Sequence, residues 1–169
     1  TPHPTVTTYT GYKHFTDPVR NAKIYKALPH LFLPPHDWSI WVDSNVTLNV
    51  PAEELIAMAE RDVAVFAHWE RDCLYQEAEA AMHRDDSTTI QEQVQRYRAD
   101  GYPEHAGLGM CFLVIRKNTE QVRRLNEQWW AEICRGSRRD QISFPYVYRD
   151  AHYLPKVNYH VPNQYFTRA

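Results

Sequence analysis

Several features that identify large protein classes are missing from this sequence of 169 residues. It contains no apolar run of membrane-spanning length, and no signal peptide is visible. The formal net charge is only −2, which excludes the strong positive field that nucleic-acid-binding proteins use. We therefore expect neither a membrane span in this chain nor a nucleic-acid partner.

Cysteine is scarce as well. The three cysteines, Cys73, Cys111 and Cys134, cannot all pair within the chain, and none has a CxxC or zinc-ligand spacing. This pattern predicts reduced thiols. Together with the missing signal peptide, it predicts a cytoplasmic protein.

The common nucleotide-binding and nucleophile motifs are absent too. No Walker loop or GxGxxG sequence occurs, and Gly107-Leu108-Gly109 is too short to cradle a phosphate. No GxSxG elbow and no Cys–His nucleophile pair stands out. These absences argue against a P-loop protein, a dinucleotide-binding domain and a serine or cysteine hydrolase.

What the sequence does contain is the alternation typical of an α/β domain. The apolar fraction of 43% and the charged fraction of 24% are those of a globular protein. Apolar patterns predict strands over 38–42, 46–50, 62–67 and 110–116, and helices over 17–32, 51–61, 72–84, 87–99 and 139–149. A long helix is predicted between Asn118, which has capping-box spacing to Gln121, and Gly136. Because strands and helices alternate, we predict one layered α/β domain, preceded by an extended segment over 1–16.

Polar residues follow two of the predicted strands directly. Asp43-Ser44-Asn45 ends strand 38–42, and His68 ends strand 62–67. In open α/β sheets, ligands bind beyond the carboxyl ends of the strands. Asp43 and Asn45 offer the oxygen ligands that Mn²⁺ or Mg²⁺ uses when it bridges a diphosphate. The tripeptide is also a good turn sequence, so a metal site and an ordinary turn are both open.

The segment after the second of these strands also has two interpretations. His68 and Arg71 could meet an anionic or polyhydroxyl ligand, because arginine makes paired hydrogen bonds to such groups. Alternatively, Asp72 caps the next helix while His68 and Arg71 are surface residues.

Two further sets of charged residues are equally ambiguous. Asp140 is either the N-cap of the last helix or a carboxylate at a reaction centre, acting as base or electrostatic stabiliser. Arg20, Lys23 and Lys26 form either a solvated helix face or a basic surface from which Arg20 and one lysine reach the phosphates of a donor.

Six segments occur in an order that resembles a known family. They are DPVRNAKIYKALPHLFLP, IWVDSNVTL, HWERDCLYQEAEA, QVQRYRADGYP, GLGMCFLVIRKN and WWAEICRGSRRDQISFPYV. Over about residues 17–166 they resemble a glycosyltransferase-like domain family of bacteria and of plant proteins linked to cell-wall and mucilage polysaccharides. The resemblance implies a GT-A-like fold, a nucleotide-sugar donor, a glycan or other hydroxyl acceptor, and Mn²⁺ or Mg²⁺ as cofactor.

The resemblance also implies roles for individual residues. Asp43 and Asn45 match the position of the metal and the diphosphate. Asp140 and Gln141 match the catalytic Asp-Gln pair near the transferred sugar. The donor-binding positions are matched by Arg20, Lys26, His68, Arg71 and Asp72.

One departure from the family keeps other functions open. Members of the family begin with a longer segment that includes a first strand and a base-binding loop. We therefore expect a single domain over 1–169 that is short at its N-terminus, with that segment either absent or reduced to residues 1–16. The alternative to a metal-dependent glycosyltransferase is a catalytically degenerate GT-A-like module that binds carbohydrate or protein. A metal-dependent hydrolase is the third hypothesis.

Overall fold

The computed structural model of the protein describes residues 11–83 and 87–169. The helices are α1 Pro18–Ala27, α2 Pro29–Phe32, α3 Ala52–Ala57, α4 Leu74–Ala81, α5 Ser87–Ala99, α6 Glu120–Arg135 and α7 Asp140–Val147. The strands are β1 Trp38–Val42, β2 Val46–Leu48, β3 Val63–Phe66, β4 Leu113–Lys117, β5 His152–Leu154 and β6 Phe166–Arg168. Most of the extended segment predicted over 1–16 lies outside the described residues.

The main sheet has four strands in the order β1-β4-β3-β5. Strand β4 runs antiparallel to both of its neighbours, and β5 runs parallel to β3. As a result, β1, β3 and β5 all point their carboxyl ends to one edge, which is also where β4 begins, opposite the end of β1 (Val42↔Leu113). The protein is thus a mixed α/β domain with a mixed sheet and flanking helices, which confirms the α/β part of the sequence prediction.

The two central strands are covered on both faces. All four residues of β3 and the first four of β4 are buried, as continuous apolar runs in central strands require. Since successive side chains alternate between faces, Val65 and Val114 pack in one core with Trp129 of α6 and Phe144 of α7. On the opposite face of the sheet, Phe66 packs in a second core with Leu55 of α3 and Phe166 of β6.

A two-stranded ribbon brings the C-terminal segment back to the edge of the sheet. Strands β2 and β6 pair antiparallel, with Val46 opposite Arg168 and Leu48 opposite Phe166. The N–H of Ala169 donates to the carbonyl of Asn45. The ribbon therefore begins at the Asp43-Ser44-Asn45 turn, and residues from the end of the chain lie beside it.

The predicted first helix is present but divided. Asp17 is the N-cap of α1, as its carboxylate accepts the Val19 N–H at 2.9 Å, and Pro18 occupies the first turn. Leu28 ends α1, and Pro29 starts the short helix α2. A proline cannot donate the hydrogen bond that would continue α1, so the helix predicted over 17–32 is divided at Pro29.

The predicted capping box before α6 is wrong by one residue. The N-cap is Thr119, whose hydroxyl accepts the Val122 N–H at 3.2 Å. Asn118 instead donates its side-chain amide to the carbonyl of His36. Asn118 is therefore used to fix the loop before β1, and the neighbouring threonine takes the capping position.

Candidate functional site

A cavity of about 460 Å³ opens at the carboxyl ends of β1 and β3. Its walls come from α1, the segments after β1 and β3, α4, the segment before β4, the start of α7 and the C-terminal segment. The lining side chains that carry charge or an imidazole are Lys23, Lys26, Asp43, His68, Glu70, Arg71, Glu77, Arg139, Asp140, His160 and Arg168. We refer to this cavity as the polar pocket.

Two carboxylates that are far apart in the sequence meet in the polar pocket. Asp140, the first residue of α7, is 6% exposed. The Nζ atoms of Lys23 and Lys26 each lie 2.7 Å from its Oδ2 atom. Lys26, which is also buried, lies 3.6 Å from Oδ1 of Asp43. Lys26 therefore bridges the carboxylate at the end of β1 and the carboxylate at the start of α7.

These contacts decide the charge states of the pair. Burial alone would raise the pKa of Asp140, but the ammonium groups of Lys23 and Lys26 outweigh it and hold that pKa well below its usual range. Burial alone would lower the pKa of Lys26, but Asp140 outweighs it and raises that pKa. Both groups are charged at neutral pH. A carboxylate this acidic is a weak base, so Asp140 suits electrostatic stabilisation better than proton abstraction.

The Asp43-Ser44-Asn45 tripeptide is at once a turn and part of the pocket wall. The carbonyl of Asp43 accepts the Val46 N–H at 3.0 Å, which closes the turn. The Asp43 carboxylate accepts the Trp41 indole N–H at 2.7 Å, and its side chain is 38% exposed in the polar pocket. Asn45 does not line the pocket, and its amide lies 3.5 Å from the Tyr159 hydroxyl. The tripeptide thus contributes one carboxylate to the site and one contact that supports it.

The fit of this arrangement to a divalent cation is partial. Among the residues that the structure describes, no group of three or more His, Cys, Asp and Glu side chains is placed to hold a metal ion. Asp140 is already paired with two lysines, and Asn45 is directed elsewhere. Mg²⁺ is often held by one or two carboxylates together with the phosphates of a substrate. Asp43 fits a cation of that kind, in which the ligand supplies the remaining oxygens.

His68 shapes the segment that follows β3. Its Nδ1 atom accepts the backbone N–H groups of Glu70 and Arg71 at 3.1 and 3.0 Å. Burial and the nearby Arg71 lower the pKa of His68 below its usual value, so the ring is neutral at pH 7. The direct consequence of these bonds is a fixed backbone at Arg71, one of the side chains that this segment presents to the polar pocket.

Arg71 and Arg139 share a buried glutamate. Oε2 of Glu77 accepts the Nε–H of Arg71 at 3.0 Å and lies 2.9 Å from Nη2 of the same guanidinium as an ion pair. Oε1 accepts from Nε and Nη2 of Arg139 at 2.9 and 2.6 Å. Glu77 lies on α4 and is 0% exposed, so α4 holds both arginines against the wall of the pocket.

Of two other predicted site residues, one lines the polar pocket and the other does not. Gln141 lines the polar pocket, where its Oε1 atom lies 3.5 Å from Nη2 of Arg139. Asp72 is not a lining residue, and its carboxylate contacts Nδ1 of His105 at 2.6 Å. Asp72 is not the helix cap either, because α4 begins after Cys73.

The structure does not bring Arg20 into the polar pocket. Its guanidinium donates to the carbonyl oxygens of Ile133, Cys134 and Gly136 at 2.8–3.0 Å. These carbonyls lie at the C-terminal end of α6, where the helix dipole favours a cation. Arg20 therefore joins α1 to α6, while Lys23 and Lys26, later on the same helix, reach the pocket.

Sequence analysis missed several pocket residues. Glu77 carried one weak signal, since it lies three residues after Leu74 on the apolar face of α4, where a charged residue needs a buried partner. Arg139, which directly precedes the predicted catalytic pair, also lines the polar pocket. Tyr159 and Arg168 reach the pocket through the pairing of β2 with β6, and no local sequence pattern predicts that pairing.

Comparisons with known proteins place the chain in a family. A family described as "TOD1/MUCI70, glycosyltransferase-like domain" matches residues 9–165. A curated relative from Arabidopsis thaliana, named "Probable hexosyltransferase MUCI70", is 29% identical over 147 residues, and the match covers 79% of this chain and 25% of the relative. The chain thus spans about a quarter of the length of that relative. No solved structure matches the chain.

Proposed function

This chain belongs to the TOD1/MUCI70 family of glycosyltransferase-like domains, and from that premise we propose that it transfers a glycosyl group from a nucleotide-diphosphate sugar to a hydroxyl acceptor. The observation that carries the proposal is the polar pocket, where Asp43 and Asp140 share Lys26. Ligands of α/β proteins bind at this edge of the sheet. The mixed sheet with flanking helices is compatible with a GT-A-like fold, which we propose from the family resemblance.

We assign the divalent cation, Mn²⁺ or Mg²⁺, to Asp43 together with the diphosphate of the donor. When bound, the ion neutralises the charge that develops on the leaving phosphate. Lys26 fixes the position of the Asp43 carboxylate from one side, and Trp41 fixes it from another. Asn45 acts through Tyr159 and the ribbon rather than as a metal ligand.

Asp140 acts in this proposal as an electrostatic group. Because Lys23 and Lys26 keep it ionised, it stabilises the positive charge that develops on the transferred sugar. Gln141, the next residue on the pocket wall, offers amide groups to the hydroxyls of the sugar. The neutral His68 holds the backbone of Arg71, which orients the donor.

A product assay tests this proposal. The protein is incubated with UDP-, GDP- or other nucleotide sugars, Mn²⁺ and glycan acceptors, and the products are identified by mass spectrometry. We expect a new glycoside in one donor set, and its loss in Asp43→Ala but not in Glu120→Ala, which changes an exposed surface pair on α6. Release of free sugar without glycoside would contradict transfer and favour a hydrolase. No reaction with any donor would favour a binding module.

A further inference from the structure

We propose that Trp69 forms a sugar-binding platform on the exposed side of the polar pocket, and that its ligand is a pyranose ring of a glycan acceptor. That this sugar is the acceptor rests on the proposed function. The platform itself rests on the position and the contacts of Trp69, a side chain in the segment that follows β3.

The polar pocket has a buried side and an exposed side. Lys26 and Asp140, which the proposed function places near the donor, are both buried. Trp69 is half-buried, and Glu70 and His160, which also line the pocket, are exposed. A sugar that belongs to a longer glycan must leave the rest of its chain in solvent. The exposed side of the pocket therefore suits the acceptor.

Two other aromatic side chains near this site are occupied by contacts within the protein. Trp41 donates its indole N–H to Asp43 at 2.7 Å. The guanidinium of Arg168 lies 4.7 Å from the centre of the Tyr159 ring, and the Phe112 ring lies 4.6 Å from it on centroid distance. A sugar that stacked on Tyr159 would have to compete with these contacts.

Trp69 has fewer partners than either of these residues. Among the described residues, its ring contacts one other ring, edge-to-face, since the centroids of Trp69 and His160 lie 6.0 Å apart with their planes at 78°. Its indole N–H has no hydrogen-bond acceptor within residues 11–83 and 87–169. A tryptophan N–H in a half-buried position usually has a partner. Trp69 therefore offers a ligand both an aromatic ring and a hydrogen-bond donor.

The position of Trp69 is fixed before any ligand binds. The N–H of His68 donates to the carbonyl of Leu108 at 2.7 Å, and the N–H of Glu70 donates to Nδ1 of His68 at 3.1 Å. The indole also packs against the second core, which contains Phe66. A sugar that binds to Trp69 thus has little additional protein to order.

A pyranose ring matches the groups on this side of the pocket. One face of many pyranoses consists of C–H groups that pack against an aromatic ring, while the hydroxyls form hydrogen bonds. The indole N–H of Trp69 can donate to one hydroxyl. The Glu70 carboxylate can accept from another, because it is 48% exposed and approaches Arg71 only at 3.5 Å.

A nucleobase is the other flat ligand that stacks on an indole. Much of its edge consists of carbonyl and ring-nitrogen acceptors, and the carboxylate of Glu70 repels such groups. The hydroxyls of a sugar, in contrast, donate to a carboxylate. We therefore assign the platform to the acceptor sugar and not to the base of the donor.

Saturation-transfer difference NMR tests the platform without any transfer reaction. The probes are β-linked tetrasaccharides of glucose, mannose, galactose and xylose, each with and without Mg²⁺ and UDP or GDP, and uridine is the nucleobase probe. We expect saturation transfer to the C–H protons of at least one tetrasaccharide in the wild type. Trp69→Leu keeps an apolar side chain but loses the ring and the N–H, and should weaken that binding about tenfold or more.

Trp38→Leu is the matched control. Trp38 is half-buried like Trp69 and packs against the same core, but it does not line the polar pocket. Its substitution should leave tetrasaccharide binding unchanged. A loss of binding as large as that in Trp69→Leu would show that any damage to this core has the same effect.

Trp69→Phe separates the ring from its N–H group. It keeps an aromatic ring, so its affinity should lie between those of the wild type and Trp69→Leu. If Trp69→Leu does not fold, tryptophan fluorescence decides. The tetrasaccharide should shift the emission of the wild type but not that of Trp69→Phe, which keeps the other four of the five tryptophans.

Three results would overturn the platform: no saturation transfer to any tetrasaccharide in the wild type, equal affinity in Trp69→Leu, or an equal loss in Trp38→Leu. Loss of uridine binding in Trp69→Leu with tetrasaccharide binding kept would assign the ring to the nucleobase instead. Tetrasaccharide binding without glycosyl transfer would refute the proposed function and leave the platform standing. Transfer to a glycan with the same acceptor KM in Trp69→Leu and wild type would do the reverse.

Discussion

Lys26 is the residue on which the charge balance around Asp43 and Asp140 depends. Its ammonium group lies 2.7 Å from Asp140, 3.6 Å from Asp43 and 5.8 Å from the centre of the Trp41 ring. A buried ammonium without a carboxylate partner would be strongly unfavourable. The carboxylates of Asp43 and Asp140 therefore stabilise the buried ammonium group of Lys26, and that ammonium group stabilises both carboxylates.

This arrangement predicts an order of stabilities for two variants. Asp140→Asn leaves Lys26 with only the more distant Asp43, and we expect a loss of about 3–5 kcal/mol in the free energy of unfolding, the range for a broken buried pair. Lys26→Met leaves Asp140 paired with Lys23, so the loss should be smaller. Urea unfolding of both variants measures the difference, and a larger loss in Lys26→Met would contradict the account.

The same variant has a pH signature. Because the pKa of Asp140 is lower in the folded protein than in the unfolded chain, this group stabilises the fold above the unfolded pKa of about 3.9. That contribution is lost as the pH falls below this value. The gap in unfolding free energy between wild type and Asp140→Asn should therefore be constant near pH 7 and shrink in acid. A gap that grows in acid would show that the pKa of Asp140 is raised, rather than lowered, in the folded protein.

Individual residues show how much of the polar pocket can be predicted from the sequence. Asp43 and Asp140 were identified as candidates because one follows a buried strand and the other lies in a polar break between two helical patterns, and the structure places both in the polar pocket. Glu77 was not identified. An acid on a helix is usually a surface residue, and only the approach of Arg71 and Arg139 from other segments explains its burial.

Helix α1 both packs against α6 and supplies charged side chains to the polar pocket. Arg20 binds the carbonyl oxygens at the end of α6, whereas Lys23 and Lys26 reach Asp140 in the polar pocket. The sequence showed three basic residues at three-residue steps, and their separate directions depend on where α6 and α7 pack. Helical periodicity alone could not separate the structural arginine from the lysines of the site.

We expect Arg20→Met to lower the free energy of unfolding by about 2 kcal/mol, since it removes charge-assisted hydrogen bonds to the C-terminal end of α6. Stabilisation by a bound donor should be unchanged, because Arg20 does not line the polar pocket. Chemical unfolding with and without donor measures both quantities. If a folded Arg20→Met protein is no longer stabilised by a donor, Arg20 takes part in donor binding and the account is contradicted.

The buried elements and the short strand β2, within the predicted strand 46–50, were predictable, whereas no residue bounds were predicted for β5 and β6. Strands β3 and β4 can be recognised in the sequence by their apolar runs, and α6 by its buried stripe. Strand β4 begins at Leu113 rather than at the predicted Met110, which instead donates its N–H to the carbonyl of Phe66. The three-residue strands β5 and β6 depend on their partners, as expected where packing rather than intrinsic preference decides strand formation.

At the scale of the whole molecule, topology assembles the site. Antiparallel β4 lies between β1 and β3, so their carboxyl ends reach one edge, where α1, α4 and α7 add charged side chains. The ribbon of β2 and β6 adds Tyr159, His160 and Arg168 from the end of the chain. No helix within residues 11–83 and 87–169 is long and apolar enough to cross a membrane.

The family match and the polar pocket are independent observations that lead to the same proposal. The match covers residues 9–165 and so includes every pocket residue named above except Arg168. The pocket combines a part-exposed carboxylate, a buried carboxylate held ionised by two lysines, and paired arginines. A nucleotide-diphosphate sugar offers the phosphates and hydroxyls that such groups bind.

Donor-induced stabilisation of the folded protein tests the central claim most directly. Thermal unfolding is followed for the wild type and Asp43→Ala with UDP-, GDP- and other nucleotide sugars, with and without Mn²⁺. A ligand at one hundred times its dissociation constant stabilises the folded state by about 2.7 kcal/mol. We predict a rise in the unfolding temperature that requires both a nucleotide sugar and Mn²⁺ and is lost in Asp43→Ala. No rise with any donor, or an equal rise in Asp43→Ala, would contradict the account.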